Sequence, residues 1–222
     1  TKPEDDIICE FAEKEGIEVI RGPEDNVLLR YLIAAEKTQA DIIVRVTGDA
    51  PLIDPFFLDT MISTLIEKKV DSVFSNPNIP CIHEGFSPFS IRALRKLVNE
   101  AGDDPVAREH VDSYFKVHPD FVPMAYIDLG LEMRINGTRI SVDTPADLQF
   151  LEEVYSHLKV QPGDADIRDV VSLLRRKPDL LIINSHIHQK KIDESTNKIL
   201  FIINDDTESY VFLLSYFLKL AE

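Results

Sequence analysis

Apolar residues recur along the chain in two rhythms, a three-to-four-residue spacing and short continuous runs. Their alternation over residues 4–75 predicts a sheet with crossover helices. Ile8, Phe11 and Ala12 share one face of a helix over 5–14, which stops at Gly16, and a short strand is expected over 17–20. Val27, Leu28, Tyr31, Leu32 and Ala35 then mark a second helix, and the run Asp41-Ile-Ile-Val-Arg-Val46 reads as a central strand. Asp54 before Pro55 has the form of an N-cap with proline in the first turn, opening a helix that carries Leu58, Met61, Ile62 and Leu65. Residues 71–74 give another strand.

Prolines 77, 80 and 88 interrupt the rhythm, so residues 76–89 read as a surface loop or edge hairpin, the kind of segment that grips substrates. Helices are expected over 91–101 and 105–117, and strand-like pieces over 122–127 and 139–142. Thr144-Pro-Ala-Asp147 has capping-box form and opens a helix to about residue 158; one more helix is expected over 164–176. This divides the chain into an α/β domain over 1–180, a linker over 181–198, and a strand and helix over 199–222. One βα unit of about 25 residues buries no core of its own, so it packs on the main domain or begins a second one.

Composition adds to this picture mainly by exclusion. A chain of 222 residues with 44% hydrophobic and 28% charged side chains can bury one good-sized core. Its longest apolar runs are strand-sized, far below the ~20 residues that cross a bilayer, so no membrane association is expected. The opening Thr-Lys-Pro-Glu-Asp-Asp lacks the basic start and apolar stretch of a signal peptide, and a cytoplasmic location is the expectation. Cys9 and Cys81 form no metal-type spacing and read as plain thiols. A net charge of −15 repels nucleic-acid backbones and makes any anionic substrate depend on a cationic pocket or a metal ion.

The chemistry centres on Val44-Arg-Val-Thr-Gly-Asp-Ala-Pro-Leu-Ile-Asp-Pro55, which places Asp49 just past the carboxyl end of a strand, the edge where open α/β sheets bind ligands. Gly48 lets the chain turn close to a ligand, and an exposed carboxylate there suits a magnesium ion that also holds phosphates. From motif shape alone Asp49 fits a turn cap equally well. Asp54 is better explained as a helix cap than as a ligand. Asp143 ends the 139–142 piece; capping accounts for Thr144 and Asp147 without it, leaving it free as a second metal ligand.

Five segments in order carry a more specific signal: Glu4-Asp-Asp-Ile-Ile8, Arg21-Gly-Pro-Glu-Asp-Asn-Val-Leu-Leu-Arg-Tyr31, Val44 to Pro55 as above, Arg108-Glu-His-Val111, and Val142-Asp-Thr-Pro-Ala-Asp-Leu148. Together they resemble the cytidylyltransferases of spore coat polysaccharide biosynthesis, over about residues 1–158, and are similar to the enzymes that activate acidic sugars as CMP derivatives. The resemblance implies a Rossmann-like nucleotide-diphospho-sugar transferase fold, a three-layer α/β sandwich of GT-A-like type. It further implies Mg²⁺ held by Asp49 and Asp143, with Arg21 and Gly22 near the substrates and Arg108, Glu109 and His110 on the sugar side. His83 and Glu84, in the proline-rich loop, are candidates to contact the sugar. The implied partners are CTP and an acidic or amino sugar, with a homodimer left open.

Relatives open with a strand and a loop ending near Arg-Leu-Pro-Gly-Lys that cradles the triphosphate. No such segment occurs in residues 1–222, so the fold is expected to be truncated at the N-terminus and these residues alone to be inactive. The loop around Gly85 is also shorter than in some relatives, which leaves the sugar open. Two other classes remain: a metal-dependent glycosyltransferase of the same fold, which usually holds its metal with two acids one residue apart where Thr47-Gly-Asp49-Ala-Pro supplies one, and a non-catalytic sugar-binding or scaffolding remnant.

Overall fold

The computed structural model describes residues 2–80, 86–136, 138–161 and 163–187. The chain divides into two compact units, Thr1–Ser185 and His186–Glu222. In the second, only residues 186–187 are described, so the strand and helix expected over 199–222 and most of the expected linker lie outside the described residues.

The elements of the first unit, in order, are α1 (Asp6–Lys14), α2 (Val27–Thr38), β1 (Ile42–Val44), α3 (Pro55–Lys68), β2 (Ser72–Ser75), β3 (Pro88–Ser90), α4 (Ile91–Ala101), α5 (Pro105–His110), α6 (Ser113–Val117), β4 (Met124–Ile127), α7 (Pro145–Leu158) and α8 (Ile167–Arg176). Most helices start where a short polar side chain takes an amide that the first turn leaves without a partner. Asn26 accepts from the Leu29 amide at 2.9 Å, Asp54 from Phe56 at 3.3 Å, and Ser90 from Ala93 at 3.0 Å. Asp104 accepts from both Val106 and Ala107, and Thr144 and Asp147 close the expected capping box at the start of α7.

The strands form one mixed sheet in the order β1-β3-β2-β4. β3 runs antiparallel to β1 and β2, pairing Ile43 with Phe89 and Ser72 with Phe89, while β2 and β4 are parallel in the register Val73 to Ala125. Residues 88–90 are therefore not a surface loop but a strand lying between β1 and β2. Pro88 is tolerated because it begins the strand; its carbonyl accepts from the buried Ser72 hydroxyl at 3.1 Å.

Side chains of successive strand residues leave the sheet on opposite faces, so one strand can feed two cores. Val73 joins Phe57, Met61 and Leu65 of α3 and Phe150, Val154, Val170 and Leu174 of α7 and α8. Its neighbour Phe74 joins Leu28 of α2, Leu94 and Leu97 of α4, Ala107 of α5 and Phe115 of α6. The result is the expected three-layer sandwich, helices over both faces of one sheet. No helix among the described residues is long and apolar enough to cross a membrane.

Four further expectations need correction. Residues 17–20 are extended but have no ladder partner among the described residues. Residues 139–142 make one ladder-like bond, from the Val142 amide to the Asp49 carbonyl at 2.9 Å, too few for a strand. The expected helix over 105–117 breaks at Val111, whose φ of 49° is closed to the right-handed helix, and becomes α5 and α6. The face of α1 expected to pack leaves Ile8 and Phe11 about two-thirds exposed, at 67% and 65%.

Candidate active site

Asp49 and Asp143 arrive from distant parts of the sequence at one edge of the sheet. β1 ends at Val44, the chain turns at Gly48 and Asp49, and the Asp49 carbonyl accepts from the amide of Val142, the residue before Asp143. Asp49 is half-buried and Asp143 exposed. The loop presenting Asp143 is held by Asp147, whose side chain is only 1% exposed. Asp147 accepts from Arg139 Nε at 3.0 Å and Asn184 Nδ2 at 3.0 Å, from the amides of Asp143 and Thr144, and from the Thr144 hydroxyl at 2.9 Å. Burial opposes its ionisation, but these donors outweigh burial and hold the carboxyl at about 2. Arg139 also ion-pairs with Asp143 itself.

Among the described residues no three His, Cys, Asp or Glu side chains group as a metal cage. Magnesium does not require one: it commonly takes one or two carboxylates and fills its remaining positions with water and substrate phosphates. Two acids on adjacent loops fit that chemistry.

The other sequence-predicted residues fall in separate places. Arg21 donates to the Asp6 carboxylate, to the Lys2 carbonyl at 2.9 Å and to the Cys9 sulfur at 3.4 Å. With Gly22, Arg30 and Ile20 it lines a cavity of about 660 Å³. Arg108, near the end of α5, reaches back to Asp25, donating to its carbonyl at 3.3 Å and lying 3.5 Å from its carboxylate. It thereby ties the Arg108-Glu-His segment to the Arg21-Gly-Pro-Glu-Asp segment. Glu109 is exposed and His110 half-buried. His83 and Glu84 lie outside the described residues.

Sequence reasoning missed a second constellation beside β1. Arg45, the first residue past the strand, lies with its Nη1 4.0 Å from Oδ1 of Asp112; their side chains are 16% and 2% exposed. Asp112 Oδ2 accepts from the buried Ser87 hydroxyl at 2.7 Å, and among the described residues Oδ1 has no hydrogen-bond partner. Burial pushes the Asp112 carboxyl up, against the Ser87 bond and the charges of Lys116 and Arg45. The signal available beforehand was an acid set directly after Arg108-Glu-His-Val111.

The architecture has a counterpart among solved structures. A cytidylyltransferase from Leptospira borgpetersenii serovar Hardjo-bovis superposes with a TM-score of 0.70 at 26% identity, over 85% of this chain and 78% of that one. Sheet order, two helical layers and acids at the carboxyl edge thus define a nucleotide-diphospho-sugar transferase fold of the Rossmann-like kind. Sequence comparison narrows the class. The profile of the cytidylyltransferase family matches residues 2–199. An uncharacterized protein of Methanocaldococcus jannaschii is 31% identical over 87% of this chain and 77% of its own length. The spore coat polysaccharide biosynthesis protein SpsF of Bacillus subtilis is 28% identical over 80% of this chain and 73% of its own. The chain belongs to the cytidylyltransferase family, and the likeness to its spore coat polysaccharide type, drawn above from five ordered segments, stands.

Proposed function

We propose that this chain serves the transfer of a cytidylyl group from CTP to an acidic or amino sugar in the synthesis of a bacterial surface polysaccharide. A sugar hydroxyl oxygen attacks the α-phosphorus of CTP, the bond to the bridging oxygen of the β-phosphate breaks, pyrophosphate leaves, and the hydroxyl proton passes to solvent or to a nearby base. Bound magnesium would offset the phosphate charge, and in a chain of net charge −15 some cation has to do so. Asp49 and Asp143 would hold the ion, and Asp147 fixes the loop that presents Asp143.

The observation that carries this reading is the hydrogen bond from the Val142 amide to the Asp49 carbonyl, which brings the two acids to the same sheet edge. The role of the Bacillus subtilis relative in spore coat polysaccharide biosynthesis supports the product class.

Calorimetric titration of CTP, with and without Mg²⁺, tests the proposal. Wild-type chain is expected to bind CTP in a Mg²⁺-dependent way, and Asp49→Asn and Asp143→Asn to bind at least tenfold more weakly. Absence of Mg²⁺-dependent binding overturns the reading and leaves the scaffold alternative.

A further inference from the structure

Three segments that the sequence marks as substrate-facing meet at one buried carboxylate. Arg45 follows β1 at the carboxyl edge of the sheet. Ser87, fully buried, precedes β3. Asp112 sits at the break between α5 and α6, next to Val111 with its φ of 49° and ψ of −98°. That backbone is costly for a β-branched residue, and its effect is to turn Asp112 inward instead of continuing the helix.

One oxygen of Asp112 is satisfied by Ser87 at 2.7 Å; the other has no hydrogen-bond partner among the described residues and stands 4.0 Å from Arg45 Nη1. A buried carboxylate oxygen left without a donor is costly, and so is a buried charge without an opposite charge beside it. Lys116 lies close enough for its charge to act on Asp112, and the neutral Tyr31 phenol lies near both Asp112 and Arg45, yet neither donates to the orphan oxygen. Arg45 is the cation positioned to do so. At 4.0 Å the pair is an ion pair without a hydrogen bond, a guanidinium steered by charge and not locked in place.

We propose that Asp112 is a positioning residue that holds Arg45 at the carboxyl edge of β1, where the guanidinium binds an oxyanion of the substrate, phosphate or carboxylate. The inference rests on the cytidylyl-transfer reading for the identity of the substrate, but not for the existence of an anion site. A planar five-donor head suits either oxyanion, and the edge beyond β1 is where ligands of such sheets bind. Asp49, four residues further along the same loop, would repel an anion, which makes a cation steered to the strand end useful.

The test uses inorganic pyrophosphate and glucuronate as separate calorimetric probes, together with NMR of the arginine Nε–H group in the free protein. Wild type is expected to bind at least one probe. Asp112→Asn and Arg45→Gln should each weaken that probe five- to tenfold, and the double variant should be no weaker than either single one, the mark of two residues acting as a unit. Loss with pyrophosphate alone identifies a phosphate subsite, and loss with glucuronate alone a carboxylate subsite. In free Asp112→Asn the Arg45 Nε–H signal should shift and exchange faster at an unchanged melting temperature. A merely structural role would lower the melting temperature and leave probe affinity alone. The proposal is overturned by additive losses, by unchanged affinity in Asp112→Asn, or by wild type binding neither probe. Should Asp112→Asn not fold, the wild-type spectrum decides: an Arg45 side chain as mobile as that of exposed Arg95 overturns it. If pyrophosphate binds through Arg45 while CTP binding shows no dependence on Mg²⁺, the cytidylyl-transfer reading falls and this one stands.

Discussion

Asp147 is the residue whose chemistry is most fully accounted for. Its carboxylate collects five donors, and its pKa is held at about 2 against an ordinary 3.8. A group whose folded pKa is depressed contributes stability that is complete above the unfolded value and disappears as pH falls through the folded one. The window here runs from about pH 4 down to about pH 2, and the contribution is on the order of 2 kcal/mol. The melting temperature of the wild type should therefore fall across that window, and Asp147→Asn should start lower at neutral pH and show a flatter acid limb; parallel limbs would contradict the network. Val111 offers a second residue-scale test. At ordinary dihedrals glycine destabilises relative to alanine by about 0.5–1 kcal/mol, whereas at a positive φ the order reverses. Val111→Gly should accordingly melt above Val111→Ala, although both lose a fully buried side chain. The sequence identified Asp54 as a cap and Asp143 as an acid that capping leaves unused, because both arguments need only neighbouring residues. Arg45 and Asp112 could not be paired the same way, since only the folded sheet edge brings them within 4.0 Å.

Elements defined by local chemistry were the ones legible in advance. The starts of α3 and α7 follow from Asp54-Pro55 and Thr144-Pro145, where a polar side chain and a proline do their work within one turn. Thr144 closes its capping box with Asp147, so Thr144→Ala should cost about 1 kcal/mol by denaturant titration. It should cost more than Asn26→Ala, because it also removes a donor from the buried Asp147; equal costs would separate the cap from the network. Strands fared worse, since a strand exists only by virtue of a partner. The apolar spacing over 17–20 resembles that of 71–74, yet only the latter has β4 beside it. Pro88 argued against a strand at 88–90, and the sheet accommodates it because the first residue of β3 is not asked to donate. The single helix expected over 105–117 failed at Val111, where burial of Asp112 outweighs helical continuity.

At the scale of the molecule, what the alternating pattern could say was that helices would cover a sheet; the insertion of β3 between β1 and β2 is a tertiary fact with an energetic consequence. Phe89 on this strand is fully buried against Phe115, with ring centroids 6.0 Å apart, in the core shared with α2, α4, α5 and α6. Phe150, equally buried, belongs to the core on the other face, with α3 and α8. The two cores share no buried side chain, but consecutive residues of one strand, Val73 and Phe74, enter one each. A four-stranded sheet with a three-residue central strand has little capacity to survive on one covered face. Phe89→Ala and Phe150→Ala should each cost about 3–5 kcal/mol. More tellingly, each should lower the hydrogen-exchange protection of amides in both helical layers by the same amount, as a single cooperative unit requires. If Phe150→Ala exposed only α3, α7 and α8 while α2 and α4 kept their protection, the layers would be separate folding units, and the sheet edge carrying Arg45, Asp49 and Val142 would have to be regarded as a seam between them instead of a rigid shelf.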